Sequence, residues 1–344
     1  MRIALDATYS LGDALSGVGV YSRELMFGLA ASEPDVPWDW YYRSQRYWRA
    51  ISSVSKPDNV KVRFLADSVG SRSARLFHGL NQRLPKRRFR RQVATFHDLF
   101  VLSGEYSTAD FRTRFAAQAR EAAGAADLII AVSAFTARQV ESYLDIPQSK
   151  IRVIHHGVVQ RSTPPGLPRR KIVLCVGAIQ RRKNQARLIR AFRAMPPDWT
   201  LILAGSNGFG SEDTLKELTA SPCADRIKIT GYLPEFDLAV LYGQASIFAF
   251  PSLDEGFGMP ILEAMAAGVP VITSNCSALQ EVAGNAAILI DPQSEAELAC
   301  ALQLLASNEN RREELAAIGK IHAECFTWEK AVAATAAVYR ELGD

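Results

Sequence analysis

The 344-residue chain has only five cysteines, scattered from Cys175 to Cys325 with no Cys-x-x-Cys spacing. That argues against a disulfide framework and a cysteine zinc site, and predicts reduced core thiols in a cytoplasmic protein. No apolar run approaches the ~18–20 residues needed to span a bilayer. The opening Met1-Arg-Ile-Ala-Leu-Asp-Ala-Thr8 goes straight into a strand-like pattern, without the apolar stretch and cleavage site of a secretion signal. Asp-x-Asp occurs nowhere and no histidines stand at ligand spacing, so no metal is expected.

Acidic residues are missing between Asp67 and Asp98, an interval that holds Arg72, Arg75, Arg83 and Lys86-Arg-Arg-Phe-Arg-Arg91. Residues 1–160 carry 22 Lys and Arg against 15 Asp and Glu, a net of +7, while the remainder is net −3. The Arg72–Arg91 stretch reads either as a solvated basic loop or as a peripheral contact with anionic lipid or a pyrophosphate-linked acceptor. Nucleic acid is not expected, because no recognition module accompanies the charge.

What is present is an alternation of short apolar runs with amphipathic stretches, the rhythm of parallel α/β layers. Strands are expected at Ile3–Ala7, Lys61–Leu65, Val93–Phe96, Leu128–Val132 and Arg152–Ile154. After a break come Lys171–Gly177, Thr200–Gly205, Ile227–Thr230, Ile247–Phe250, Val271–Thr273 and Ile288–Ile290. Helices are expected over Gly19–Ala31, Thr108–Ala123, Ala134–Leu144 and Gln185–Ala194. A last helix over Trp328–Leu342 has Ala331, Ala334, Val338 and Leu342 on one face. The proline-rich stretch 161–170 reads as a linker. The expected domains are therefore 1–160 and 171–326, both Rossmann-like and doubly wound, facing a cleft, followed by a terminal helix over 327–344.

Pro251-Ser-Leu-Asp-Glu-Gly-Phe-Gly-Met-Pro-Ile-Leu-Glu263 follows an apolar strand and opens a helix, with Pro260 suited to its first position. Unpaired N–H groups at such a terminus attract phosphate or sugar oxygens, and Glu255 and Glu263 can each accept from a ligand hydroxyl. An ordinary βα connection with a dipole-complementing glutamate is the competing reading. Val176-Gly-Ala-Ile-Gln-Arg-Arg-Lys-Asn184 sets three cations after another strand, suited to a diphosphate. Ser16-Gly-Val-Gly-Val-Tyr-Ser22 is a glycine loop after the first strand. Its third glycine position is Ser22, which disfavours a nicotinamide dinucleotide. His97 ends a strand, and His78 ends another apolar run.

The window from Gly231-Tyr-Leu through Phe250-Pro-Ser, Glu255-Gly-Phe-Gly-Met-Pro and Glu263-Ala-Met to Asp291-Pro292 resembles the retaining glycosyltransferases of family 4, which have the GT-B fold. The resemblance implies a cofactor-free, metal-independent hexosyltransferase. Arg182 and Lys183 would neutralise the donor's diphosphate, and Glu263 would bind ribose. Glu255, with Gly256, Phe257, Gly258 and Met259, would contact the donor sugar. Gly17 and Gly19 would lie against the donor phosphate and the acceptor, and His97 near the donor sugar. Bacterial polysaccharide mannosyltransferases are the nearest pattern, which makes GDP-mannose the first expected donor and a UDP-sugar the second. The acceptor would be a saccharide or lipid-linked. A nucleotide-sugar epimerase or hydrolase, a nicotinamide-dependent dehydrogenase and a non-catalytic binding subunit are the alternatives.

Overall fold

The computed structural model describes residues 1–12, 14–66, 74–159 and 166–343. Arg72 and residues 161–165 of the expected linker lie outside them. The chain divides into two compact units, Met1–Gly157 with Thr327–Asp344, and Val158–Phe326.

The first unit holds β1 (Ile3–Asp6), β2 (Trp38–Tyr42), β3 (Val60–Phe64), β4 (Leu76–Gly79), β5 (Arg91–Phe96), β6 (Leu128–Ala131) and β7 (Ile151–Val153). They form one parallel sheet in the order β3-β2-β1-β4-β5-β6-β7. The second unit holds β8 (Arg170–Val176), β9 (Thr200–Ala204), β10 (Ile227–Gly231), β11 (Ala245–Phe250), β12 (Val271–Ser274) and β13 (Ala287–Ile290). Its parallel order is β10-β9-β8-β11-β12-β13. Most of these strands are buried along their length, as sheets covered by helices on both faces require. Strand order reverses between β1 and β4 in one sheet and between β8 and β11 in the other. Such switch points open crevices at the carboxyl ends of strands.

Strands β2 and β4 were not expected from the sequence. In β2, Asp39 interrupts the aromatic run Trp38-Asp-Trp-Tyr-Tyr42, yet it is fully buried because Arg2 (3.1 Å) and Arg63 (3.4 Å) neutralise it. The last helix, Trp328–Glu341, packs on the helix Gly17–Ser32 within the first unit's core. Its buried face runs through Ala331, Val332, Thr335, Ala336 and Tyr339, while Ala334 is exposed, contrary to the expected stripe. None of the five cysteines is in a disulfide; Cys300 and Cys325 are exposed and so are not the core thiols expected of them.

His78, which ends an apolar run, is fully buried. Its Nδ1 meets the Tyr339 hydroxyl at 2.6 Å and its Nε2 meets Thr95 Oγ1 at 2.8 Å. Thr95 Oγ1 in turn meets the Tyr21 hydroxyl at 2.9 Å. Burial, with His97 adding to it, pushes the His78 pKa down to about 3, so the ring stays neutral. This polar chain ties the terminal helix to β4, β5 and the Gly17–Ser32 helix. Leaving a buried polar atom unpaired costs about 1–3 kcal/mol. Tyr339→Phe should therefore lower the urea midpoint by that much stability, and an unchanged midpoint would show that the contact contributes nothing.

Candidate functional site

Arg182, Lys183 and Glu255 come together in the second unit. The loop after β8 carries the two cations in a single 3-10 turn, Arg181–Lys183, and the loop after β11 carries the carboxylate. These are the two strands that flank the switch point. Arg182 Nη1 lies 2.9 Å from Glu255 Oε2, and Lys183 Nζ lies 2.6 Å from Glu255 Oε1. The three side chains are only 10–11% exposed. Arg182 also donates to the Asp254 carbonyl, and Lys183 Nζ sits 4.6 Å from the centre of the Phe250 ring.

The backbone holds the two loops in register. Leu253 N donates to Arg182 O at 2.8 Å, and Asn184 Nδ2 donates to the carbonyls of Pro251 (3.0 Å) and Pro292 (2.9 Å). Arg181 instead reaches Asp213 at 3.1 Å and is half exposed, so Arg182 is the arginine that faces the carboxylate. Burial opposes ionisation of Glu255, but Arg182 and then Lys183 outweigh it and lower its pKa to about 2. Below the usual carboxylate range, Glu255 remains a charged acceptor.

Gly256, Phe257 and Gly258 are buried and lead into the helix Met259–Ala266. The helix begins at Met259, so Pro260 occupies the second position and not the first. Gly258 caps it at φ +105, where a side chain would be strained, and a Cβ there would lie 2.6 Å from Leu279 Cδ2. Glu263 is partly exposed and accepts from the Tyr242 hydroxyl at 2.9 Å. Sequence reasoning missed two supporting residues. Ser277 Oγ accepts from Glu255 N at 3.2 Å, and Tyr242 orients Glu263. The Leu241-Tyr242 pair within the resembling window was the available signal for Tyr242; Ser277 had none.

In the first unit, Gly17 opens its helix and is exposed, while Ser16 Oγ caps Gly19 N at 3.3 Å. A Cβ on Gly19 would sit 2.9 Å from Tyr9 O, so its missing side chain is required by the chain itself. His97 directly follows β5 and is buried, with Nε2 at 2.9 Å from Leu80 O. A carbonyl only accepts, so Nε2 carries the proton and Nδ1 the lone pair of the neutral ring. Burial, against the Leu80 hydrogen bond, pushes its pKa down to about 4. The His97 ring stacks on His156 at 5.4 Å and meets Tyr21 edge-on at 4.7 Å. Lys86, Arg87, Arg88, Arg90 and Arg91 are exposed, with Arg88 and Arg91 flanking Asp127 at 3.8 and 3.6 Å. Buried Phe89 anchors that segment by stacking on Phe77 at 4.8 Å.

Two parallel α/β units, the second with paired cations and a carboxylate at its switch point, define the GT-B glycosyltransferase class. Residues 162–322 match the Glycosyl transferases group 1 family and residues 23–160 match Glycosyltransferase Family 4. O-antigen chain mannosyltransferase B of Escherichia coli is 32% identical over 286 residues, covering 78% of this chain and 74% of that one. The chain belongs to this glycosyltransferase family and is a glycosyl-transferring enzyme. Solved structures share the fold. Sucrose-phosphate synthase from Thermosynechococcus elongatus superposes with a TM-score of 0.80 at 21% identity over 99% of each chain. HepE of Anabaena in complex with UDP-glucose gives 0.76 at 18% identity, over 100% of this chain and 99% of that one.

Removing one partner of a buried ion pair costs ~3–5 kcal/mol, because the other charge stays buried and uncompensated. Glu255→Gln should lower the melting temperature accordingly, and unchanged stability would show that the cations need no carboxylate. The pH dependence has a definite sign. The Glu255 pKa is lower folded than unfolded, so its stabilisation is present above its ordinary value of 4.5 and is lost as pH falls towards about 2.

Proposed function

We propose that the chain is a retaining, metal-independent hexosyltransferase that moves mannose from GDP-mannose to a saccharide or lipid-linked acceptor in surface polysaccharide synthesis. The observation that supports this reading is the buried contact of Arg182 and Lys183 with Glu255 at the switch point of the second sheet. A diphosphate brings negative charge to two donors of different geometry, the planar guanidinium fork and the ammonium point charge. The mannose assignment leans on the E. coli mannosyltransferase. A UDP-sugar is the second donor candidate, because UDP-glucose is what the Anabaena neighbour holds.

In the reaction, the bond from the sugar's anomeric carbon to the diphosphate oxygen breaks. A new bond forms on the same face to the acceptor hydroxyl, whose proton passes to the leaving diphosphate. Arg182 and Lys183 stabilise the charge growing on that leaving group, so they supply the positive charge that a metal would otherwise provide. Glu255, with the backbone of Gly256, Phe257, Gly258 and Met259, takes hydroxyls of the donor sugar, and Glu263 takes the ribose hydroxyls. Glu255 is ionised and accepts only, which suits a hydroxyl partner. In the first unit, Gly17 and Gly19 serve the donor phosphate and the acceptor. His97, neutral with Nδ1 as acceptor, takes a hydroxyl of the sugar and does not act as an acid. No helix among the described residues is long and apolar enough to cross a membrane. The enzyme is read as cytoplasmic, with the exposed Lys86–Arg91 segment facing anionic groups at the membrane's inner face.

Loss of one donor to a developing oxyanion lowers kcat about 10²–10³-fold in other enzymes. Lys183→Gln, which keeps Arg182 on Glu255, should lower mannose transfer by that factor in an assay with radiolabelled GDP-mannose. GDP should raise the melting temperature of the wild type more than of the variant. Unchanged turnover in a folded Lys183→Gln would remove the diphosphate assignment.

A further inference from the structure

We propose that Ser277 is the positioning residue for Glu255, kept in a strained backbone conformation so that its hydroxyl can fix the main chain of that carboxylate. The loop after β12 bonds to the loop after β11 at successive points. Thr273 Oγ1 donates to Phe250 O at 2.9 Å, Ser274 Oγ to Ser252 O at 2.7 Å and Cys276 Sγ to Leu253 O at 3.5 Å. The next two bonds reach Glu255 itself. Its N–H donates to Ser277 Oγ at 3.2 Å, and its carbonyl accepts from Ala278 N at 3.2 Å. Both peptide groups that flank the Glu255 Cα are therefore pinned by one loop.

The backbone at Ser277 marks this contact as more than a turn. Ser277 opens the short helix Ser277–Ala283 at φ +56, in the left-handed region. The Cβ of an L residue crowds the following carbonyl there, and mainly glycine, asparagine and aspartate visit the region. Among the described residues, three other non-glycines have positive φ: Ser44, Asp145 and Asn184. Asn184 directly follows Lys183, so two of the four stand in the candidate site. Glycine at 277 would relieve the strain but would take this acceptor from the Glu255 N–H. Strain that a smaller residue would remove points to a task for the side chain.

The task follows from the ion pair. The Glu255 carboxylate meets two cations, and a diphosphate would compete with it for both. A carboxylate released from them turns about its own Cα. The reach of its oxygens to a sugar hydroxyl then depends on where that Cα is held. Ser277 and Ala278 grip only the main chain, so the side chain can turn while its root stays in place. This purpose rests on the function proposed above; the clamp on the main chain does not.

The test compares Ser277→Ala with Ser277→Gly in the full chain. Both remove the hydroxyl, and only the glycine removes the strain. Hydrogen–deuterium exchange in the peptide covering Leu253–Gly258 should be faster in both variants than in the wild type. Ser277→Gly should melt at least about 2 °C above Ser277→Ala. Despite that difference, both should lose transfer from GDP-mannose alike. The kcat should fall about ten- to a hundredfold, with the donor KM and the affinity for GDP unchanged. A residue that only stabilised the fold would make turnover follow the melting temperature. Wild-type turnover in Ser277→Gly would therefore overturn the proposal, and that variant alone decides if Ser277→Ala does not fold. Exchange at the wild-type rate, or equal melting temperatures for the two variants, would overturn it as well. Absent transfer by the wild type would count against the function instead, since exchange and melting need no turnover.

Discussion

Glu255 holds two buried cations, and the second unit's site is organised around that contact. A guanidinium and an ammonium removed from water are tolerable only with a carboxylate within hydrogen-bond distance, and one carboxylate serves both. The contact joins the loops after β8 and β11, the strands at which sheet order reverses. Leu253 N on Arg182 O and Asn184 on Pro251 O repeat that join through the backbone. The cations are therefore preorganised before any ligand arrives, which is where electrostatic catalysis gains most, since no reorganisation is needed at the moment of reaction.

The same constraint gives Glu255 two tasks. Without a ligand it balances charge. On the function proposed above, a diphosphate would bring its own negative charge to the cations and free the carboxylate for a sugar hydroxyl. The first unit uses a different device. His97, His78 and His156 are all driven towards the neutral form, with burial the largest cause for each, and they are joined by ring contacts and hydrogen bonds instead of charge. The second unit thus holds fixed cations where the first holds neutral rings.

Much of the fold was legible because parallel strands covered on both faces leave apolar runs. Ile172 to Val176 and Ala245 to Phe250 are plain examples, each found within a residue or two of its limits. Strand β2 was hidden because Asp39 looks like a surface residue until Arg2 and Arg63 are brought beside it by the fold. Strand β4 was hidden because it is four residues long and contains His78, whose partner Tyr339 is 261 positions away. In the site, glycine loops and cations at strand ends were readable as local patterns. Which arginine turns inward was not. Arg181 and Arg182 differ only in that Asp213 waits for one and Glu255 for the other. Nor could the sequence show that Gly19 is needed by Tyr9 O, because that contact is made across a turn.

The most direct measurement is a crystal structure of the chain with GDP bound. The β-phosphate oxygens should lie about 2.7–2.9 Å from Arg182 and Lys183 nitrogens, with the ribose hydroxyls on Glu263. A diphosphate bound elsewhere, with Glu255 still on both cations, would contradict the assignment of this ion pair as the donor's cradle.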